Sequence, residues 1–212
     1  MSREELLRVL HKTLRHFFPK LRHWLDSTPD PRDASRITYP LRSLLWVGVL
    51  MFLFHLSAPR RLRHDFNSKG ALPNLNRLAE TELETLPHPD TLGYLLKHLQ
   101  PDSLDRLRRR MVRRLLRKRC LERFRLFNRF YLVAIDGTRY LSFRKPHCDQ
   151  CLRETLSNGV TLYSHPALEA KLVCANGLAI SLGTDFLQNT DGQHKSRWSG
   201  TNSRPSIGSS QG

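Results

Sequence analysis

Acidic residues are scarce in this sequence. Its 19 Asp and Glu residues oppose 35 Lys and Arg residues, which gives a net charge of +16 and an isoelectric point near 10.6. A soluble surface normally mixes charges of both signs, so solubility alone does not call for this imbalance. The excess indicates a polyanionic partner, either nucleic acid or an anionic membrane surface.

Cysteines are also few, and long apolar runs are missing. Four cysteines without a secretory signal argue against a disulfide framework, because Met1 is followed by a charged, helical segment rather than a signal peptide. The apolar run 44–54 is well short of the roughly 20 residues that span a bilayer. We therefore expect a buried core helix from about Tyr39 to Leu56, with membrane association through 44–56 as the weaker alternative.

The first half of the chain has the pattern of a helical protein. Leucines and phenylalanines recur at helical spacing over 3–26, where Pro19 should kink or end the helix. Further prolines divide 62–100 into short helices. An apolar share of 39% is typical of a globular chain, and the length of 212 residues suits one large domain or two small ones.

The most basic segment spans 103–129. It contains twelve cations and two anions, a net +10 of the chain's +16, beside an apolar stripe that predicts a helix. A charge run is usually a solvated helix face, but the single sign favours phosphate binding; nuclear localisation and a membrane-surface role are alternatives. The candidate nucleic-acid contacts are Arg106, Arg109, Arg110, Arg113, Arg114, Arg117 and Lys118.

A second feature is a short apolar run that ends at an acid. Residues 130–135 are apolar and stop at Asp136, which Gly137 follows. A run of this kind predicts a strand buried on both faces. The glycine would let the chain turn sharply and leave the carboxylate at the sheet's edge. By itself, an Asp-Gly pair most often marks an ordinary turn.

From about residue 128 onwards the pattern changes to that of β-structure, which predicts an α+β fold with a boundary there. The Asn176–Gly177 pair between two apolar runs is a strong hairpin signal. The predicted strands are Arg139–Phe143 as a return strand, then Val160–Tyr163, Ala167–Cys174 and Leu178–Leu182.

A cluster of metal-binding residue types lies in this second half. His147, Cys148 and Cys151 form an HCxxC motif, and His165 follows fourteen residues after the second cysteine. Thiolate and imidazole are zinc ligands, and a two-residue spacing lets both sulfurs reach one ion. The His spacing is not that of a zinc finger, so the alternative is a hairpin with two buried thiols.

Together these residues resemble a known family, the DDE-type insertion-sequence transposases with an RNase H-like catalytic core. The resemblance covers about 38–195 and is most specific over 130–193. It rests on Ile135–Thr138, the HCxxC motif, His165, Lys171–Val173, Asn176–Gly177, Ser181–Asn189 and the upstream segment Leu86–Thr91.

The resemblance implies both a function and a site. In that family the acid on the first strand is the first of three carboxylate ligands, which corresponds to Asp136. Two Mg²⁺ or Mn²⁺ ions about 4 Å apart assist phosphoryl transfer on DNA. It also implies DNA element ends as substrate, a homo-oligomer in the intact family, and a bacterial, cytoplasmic, nucleoid-associated location. The expected organisation is a helical, basic region over 1–128 and the first hairpins of an incomplete RNase H-like domain over 129–195.

The sequence departs from the family's pattern near its end. Asp185 and Asp191 are acids, but neither occupies the position of the family's second carboxylate. Residues 196–212 lose nearly all aliphatic residues and any periodicity, which predicts a disordered, non-homologous tail after a truncation or frameshift near 195. We therefore expect an inactive transposase remnant that retains DNA binding. The alternative is a non-catalytic nucleic-acid-binding protein or regulator that acts through 103–129.

Overall fold

The structure, a computed structural model, describes residues 2–55 and 70–187. These residues confirm the α+β class, with helices first and an antiparallel sheet after them. The chain divides into two compact units, one ending at Phe130 and the other beginning at Tyr131. The predictions for 56–69, for Asp191 and for the tail 196–212 lie outside the described residues.

The described part of the helical unit contains six α-helices. Ser2 begins the first one by accepting a 3.1 Å hydrogen bond from the Glu5 backbone N–H. Pro19 separates the first two helices, as the sequence predicted. The helices are α1 Arg3–Phe17, α2 Leu21–Asp26, α3 Leu41–Leu53, α4 Ala71–Ala79, α5 Pro89–His98 and α6 Pro101–Arg117.

Helix α3 forms the centre of this unit. Its Leu44 and Leu50 are fully buried, and they belong to one hydrophobic core with Leu75 of α4 and Leu92 and Leu95 of α5. The expected core helix is thus confirmed, although it is shorter at both ends than predicted. Among the described residues, no helix is long and apolar enough to cross a membrane.

The basic segment is not one helix, which corrects the prediction for 103–129. Helix α6 begins at Pro101 and ends at Arg117. Arg119 has a left-handed backbone, with φ of 56°, and the Cys120 N–H donates to the Leu115 carbonyl at 3.1 Å. This hydrogen-bond pattern closes a helix end. A short 3₁₀ turn, Glu122–Phe124, and a tight turn over 126–130 follow it.

The second unit is a four-stranded antiparallel sheet among the described residues. The long strand β3 is central, β1 pairs along one of its sides, and β2 and β4 share the other side. The strands are β1 Leu132–Phe143, β2 Leu152–Thr155, β3 Thr161–Val173 and β4 Ala179–Phe186.

Three strand predictions are wrong in a connected way. Strand β1 continues through Asp136 and Gly137 to Phe143, so there is no turn and no separate return strand. It is also exposed rather than buried on both faces, since Ile135 is 66% exposed. Likewise β3 runs without a break through Pro166, where two strands were expected.

Pro166 is tolerated inside β3 because of its position. Its carbonyl accepts from the Leu187 N–H at 3.0 Å, just beyond the end of β4. The N and O atoms of one strand residue point to the same side, so the missing donor faces the gap between β2, which pairs as far as Ser164, and β4, which pairs from Ala167. No ladder hydrogen bond is lost there.

The predicted hairpin at Asn176–Gly177 is confirmed. Gly177 has φ of 81°, and its N–H donates to the Cys174 carbonyl at 3.0 Å. Gly159 has φ of 79° in an equivalent turn between β2 and β3. The Asn158–Gly159 pair was the sequence signal for that second hairpin, because a residue with positive φ is most often glycine.

Candidate metal centre and basic helix

Three of the predicted metal ligands meet at one end of the sheet. Cys148 and Cys151 lie in the loop between β1 and β2, and His165 lies in the middle of β3 opposite Leu141. Their ligand atoms all lie within 4.8 Å of one another. The cluster therefore combines two cysteines that are neighbours in the sequence with a histidine from a separate strand.

The spacing of these atoms suits a tetrahedral metal. The two sulfurs are 4.0 Å apart, and His165 Nε2 lies 3.5 Å from Cys148 Sγ and 3.2 Å from Cys151 Sγ. Zinc–sulfur bonds of about 2.3 Å and zinc–nitrogen bonds of about 2.0 Å give tetrahedral edges of about 3.8 and 3.5 Å. A metal ion could be held by these three side chains with only small shifts.

Cys151 is the best supported of the three ligands. Its side chain is buried, with 1% exposed, and the His147 backbone N–H donates to its sulfur at 3.4 Å. The Cys151 N–H in turn donates to the Cys148 carbonyl at 3.2 Å, which closes the loop. Hydrogen bonds to a ligand from its surroundings orient it and tune the metal.

His147 is not part of the three-residue cluster. Its ring stacks on Phe143 at a centroid distance of 5.0 Å, and its centroid lies 6.3 Å from that of His165. The side chain is near enough to reach a metal by rotating, but here only its backbone contributes to the cluster. A metal held by the other three residues would have a fourth coordination position open.

Asp136, the candidate catalytic residue, lies in the middle of β1 rather than at a strand end. It is exposed and opposes Glu169 of β3, whose carboxylate is 3.1 Å from the Lys171 ammonium. No hydrogen bond or ion pair to the Asp136 carboxylate occurs within the described residues. The correction follows from the pairing of β1 with β3, because the ladder continues past Gly137 and holds it extended.

Asp185 cannot complete a site with Asp136. In the ladders Asp136 is level with Glu169 and Thr184, whereas Asp185 is level with Leu168. Adjacent residues of a strand face opposite sides of the sheet, so the two acids lie on different faces. Among residues 2–55 and 70–187, no group of three ligand-bearing side chains includes Asp136.

The exposed arginines of α6 form one stripe. Arg106, Arg110, Arg113 and Arg117 are separated by four, three and four residues, and all four are exposed. This spacing keeps side chains on one side of a helix. At about 1.5 Å per residue the stripe is about 16 Å long. We call these four residues the arginine stripe.

Among the described residues, no acidic side chain neutralises the charge of the arginine stripe. Arg106 donates to the Ser103 hydroxyl at 3.1 Å and Arg110 to the Ser27 hydroxyl at 3.3 Å, and both acceptors are neutral. In the part of the chain that the structure describes, neither Arg113 nor Arg117 has an acidic partner. An anionic ligand could therefore bind all four guanidinium groups without displacing an acidic side chain of the described residues.

The other predicted phosphate contacts differ from the stripe. Arg109 pairs with Asp105, together with Arg108. Arg114 is half-buried and donates from Nε to the Phe17 carbonyl at 2.8 Å, which ties α6 to the end of α1. Lys118 is exposed at the C-terminal cap of α6. Sequence reasoning could not separate these roles, because the partners of Arg114 lie far away along the chain.

Comparison with known proteins gives no relative: no family model, curated protein or solved structure matches this chain. The chemistry of the arginine stripe, of the Cys-His cluster and of Asp136 therefore carries the functional argument.

Proposed function

We propose that this chain binds DNA through the phosphate backbone and is a relative of the DDE-type transposases that does not cleave DNA by itself. The observation that carries the binding proposal is the arginine stripe of α6: four exposed guanidinium groups on one helix side, without an acidic partner among the described residues. Nucleic-acid-binding proteins have this electrostatic footprint.

The dimensions of the stripe fit this ligand. One strand of duplex DNA carries a phosphate about every 3.4 Å along the axis, so a stripe of about 16 Å can contact up to about five phosphates. Guanidinium groups bind phosphate oxygens with two parallel hydrogen bonds. Contacts of this kind position a protein on DNA but do not read its sequence.

The transposase relationship is supported by the resemblance of 130–193, within which Asp136 lies on the first strand of the sheet. Strand transfer by two metal ions needs several carboxylates around them. Asp136 faces Glu169, which pairs with Lys171, and Asp185 lies on the opposite face of the sheet; this arrangement favours binding without cleavage. By analogy with the intact family, the cofactor would be Mg²⁺ or Mn²⁺ and the DNA substrate would be the ends of a mobile element. The protein would form a homo-oligomer and be located at the bacterial nucleoid.

We also propose that Cys148, Cys151 and His165 hold Zn²⁺. Thiolate and imidazole select zinc over magnesium, and the distances between the ligand atoms match a tetrahedral site. Zinc would tie the β1–β2 loop to β3. His147 or a water molecule would complete the coordination.

The DNA-binding proposal is tested by fluorescence anisotropy with a labelled duplex. The variant Arg106→Gln/Arg110→Gln/Arg113→Gln/Arg117→Gln should lower affinity at least about tenfold at moderate salt, because four counterion-releasing contacts are lost. The matched control, Arg8→Gln/Lys12→Gln/Arg15→Gln/Lys20→Gln, removes four exposed charges, three from α1 and one from the residue before α2. Equal losses for both variants would show that net charge, and not the stripe, governs binding.

The transposase part of the proposal is tested separately. Full-length protein should leave supercoiled plasmid intact with Mg²⁺ or Mn²⁺, and Asp136→Ala should bind DNA as the native protein does. Metal-dependent nicking that Asp136→Ala abolishes would contradict the absence of cleavage and favour an active enzyme.

Zinc binding is tested by elemental analysis of the purified protein, where about one ion per chain is expected.

A further inference from the structure

The turn after the basic helix has an unusual residue at its tip. The N–H groups of Arg129 and Phe130 both donate to the Leu126 carbonyl, and the Leu126 N–H donates to the Phe130 carbonyl at 2.7 Å. The two residues between them, Phe127 and Asn128, have φ of 52° and 53°. This is a tight hairpin-like turn whose tip needs a left-handed backbone.

Asparagine is usual in that conformation, but phenylalanine is not. A left-handed backbone is destabilising for any residue with a Cβ atom, and residues with bulky side chains are true outliers in that conformation. Phe127 gains nothing in return from packing, since 84% of it is exposed. A strained and solvent-exposed aromatic ring is a feature from which a functional role can be inferred.

Cations lie close to this ring in the sequence, and one of them, Arg125, pairs with Glu122 at 3.7 Å. Arg123, Arg125 and Arg129 lie within four residues of it, and Glu122 is the nearest acid in the sequence. The Arg123 guanidinium carbon lies 4.7 Å from the centre of the Phe124 ring, and that of Arg129 lies 5.1 Å from the centre of the Phe130 ring. The turn therefore combines an aromatic tip with cations held against its neighbouring rings.

We propose that Phe127 is a base-stacking residue that binds an unpaired nucleotide of DNA. The ring would stack on the exposed face of a base, while the neighbouring arginines contact the flanking phosphates. Aromatic side chains in a basic setting bind single strands in this way, because every base has an apolar π-face. The occupant is a single strand or an opened DNA end, since a base pair stacked within a duplex offers no free face.

This inference rests on the proposed DNA binding but adds a distinct property. The arginine stripe contacts phosphates, which single and double strands share. Stacking by Phe127 contributes only where a base is unpaired. The two contributions can therefore be separated by comparing DNA forms within one protein.

The test uses full-length protein and two labelled DNA probes, a single-stranded oligothymidine and a relaxed circular duplex, which has neither ends nor unpaired loops. Phe127→Gly removes the ring and keeps the left-handed backbone, so it does not disturb the turn. We expect it to weaken single-strand binding about 5- to 150-fold, the range found for loss of one stacking ring, and to leave binding to the circular duplex unchanged. Phe127→Trp should retain single-strand affinity.

A matched control is Phe52→Ala, which removes an equally exposed ring from α3; it should change neither affinity. An unchanged single-strand affinity in Phe127→Gly, or an equal loss on both probes, overturns the inference. So does a loss of binding to phosphatidylserine vesicles without a loss on oligothymidine, which would make the turn a membrane contact. If the native protein binds neither probe, the proposed function fails as well; if the stripe variant weakens binding and Phe127→Gly does not, only the stacking role fails.

Discussion

At the scale of single residues, two helices are followed by a residue other than glycine at a left-handed position where glycine is usual. Glu80 after α4 and Arg119 after α6 both have a left-handed backbone. In each case the following residue's N–H donates back into the last turn, Thr81 to the Asn76 carbonyl and Cys120 to the Leu115 carbonyl. Only glycine adopts this conformation without a steric cost.

Arg119→Gly is therefore expected to stabilise the protein by about 1 kcal/mol. The side chain contributes little in return, because it is highly exposed and its ion pair with Glu122 is 3.6 Å long. Chemical denaturation followed by circular dichroism measures the change in free energy of unfolding.

Glu80→Gly is the matched comparison. It relieves the same strain but removes an ion pair with Arg22 of 3.0 Å, so its net gain should be smaller than that of Arg119→Gly. A larger gain at Glu80 would show that its ion pair with Arg22 does not stabilise the fold, and no gain in Arg119→Gly would show that the backbone at Arg119 is not strained.

A second residue-scale effect concerns acid stability. Arg32 is 7% exposed and donates to the Asp30 carboxylate at 2.6 Å. This hydrogen bond lowers the pKa of Asp30 below its ordinary value. A lowered pKa means that the pair stabilises the fold above the ordinary Asp pKa of about 3.9, and that this stability is lost as pH falls through the lower value.

Asp30→Asn should destabilise the protein by about 2 kcal/mol at neutral pH, since it leaves a buried guanidinium without its charged partner. The difference between variant and native protein should shrink below about pH 4. Denaturant titrations at several pH values measure this. Glu84→Gln, at an exposed acid, is the control, and a deficit that persists unchanged at low pH would exclude the ion pair as its cause.

At the scale of elements, the Cys-His cluster of Cys148, Cys151 and His165 connects the β1–β2 loop to β3. Eight residues, 144–151, connect the two strands, and the loop's link to β3 runs through His165. A bound ion stabilises the folded state in proportion to its occupancy, by about 2.7 kcal/mol at 100 times Kd. The loop and the sheet should therefore be stabilised together.

A zinc chelator is expected to lower the melting temperature of the native protein by several degrees. Cys148→Ser should lower it by a similar amount, because it removes an exposed ligand without disturbing the core, and the chelator should then have no further effect. Differential scanning calorimetry gives both values. Cys174→Ser, in the β3–β4 turn, should melt like the native protein and still respond to the chelator; if Cys148→Ser also still responds, the cluster does not hold the ion.

At the scale of the whole molecule, the net charge of +16 should appear as a strong salt dependence. Each phosphate contact contributes about 0.9 to the slope of log affinity against log salt. The four residues of the arginine stripe should therefore account for about 3.6 of that slope.

The expected result is a slope reduced by about 3 to 4 in the quadruple stripe variant. Anisotropy titrations over a range of salt concentrations measure it. Asp136→Ala should have the native slope, because a solitary exposed acid on the sheet makes no phosphate contact. An unchanged slope in the stripe variant would mean that other cations contact the DNA.

Local signals in the sequence predicted several elements well. Pro19 separated α1 from α2, the apolar run gave α3, and Asn176–Gly177 gave the β3–β4 hairpin. Pro19 and Gly177 act on their own backbone, through a fixed φ, a missing N–H or freedom to adopt positive φ, and the apolar run acts through the composition of one continuous segment. The Cys-His ligand types were also predictable, because the ability to bind a metal belongs to each side chain and depends on no distant partner.

The errors arose where a partner distant in the chain decides. Asp136–Gly137 was expected to be a turn, but the ladder with Glu169 and Leu168 holds both residues extended. The same effect of tertiary pairing carries β3 through Pro166. The His147 ring stacks on its near neighbour Phe143, so its role as a ligand stays a prediction.

The sequence by itself determined the charge of this protein, its α+β class and the residue types of its two candidate sites, because composition and local periodicity depend on no distant partner. The sequence also contains the spacing of the arginine stripe, but only the tertiary structure decided that its four residues stay exposed while Arg114 is used to hold α1. It also decided that His165 meets Cys148 and Cys151, and that Asp185 lies on the opposite face from Asp136. Strand pairing and helix packing bring together residues far apart in the chain, and those pairings set the geometry of each site.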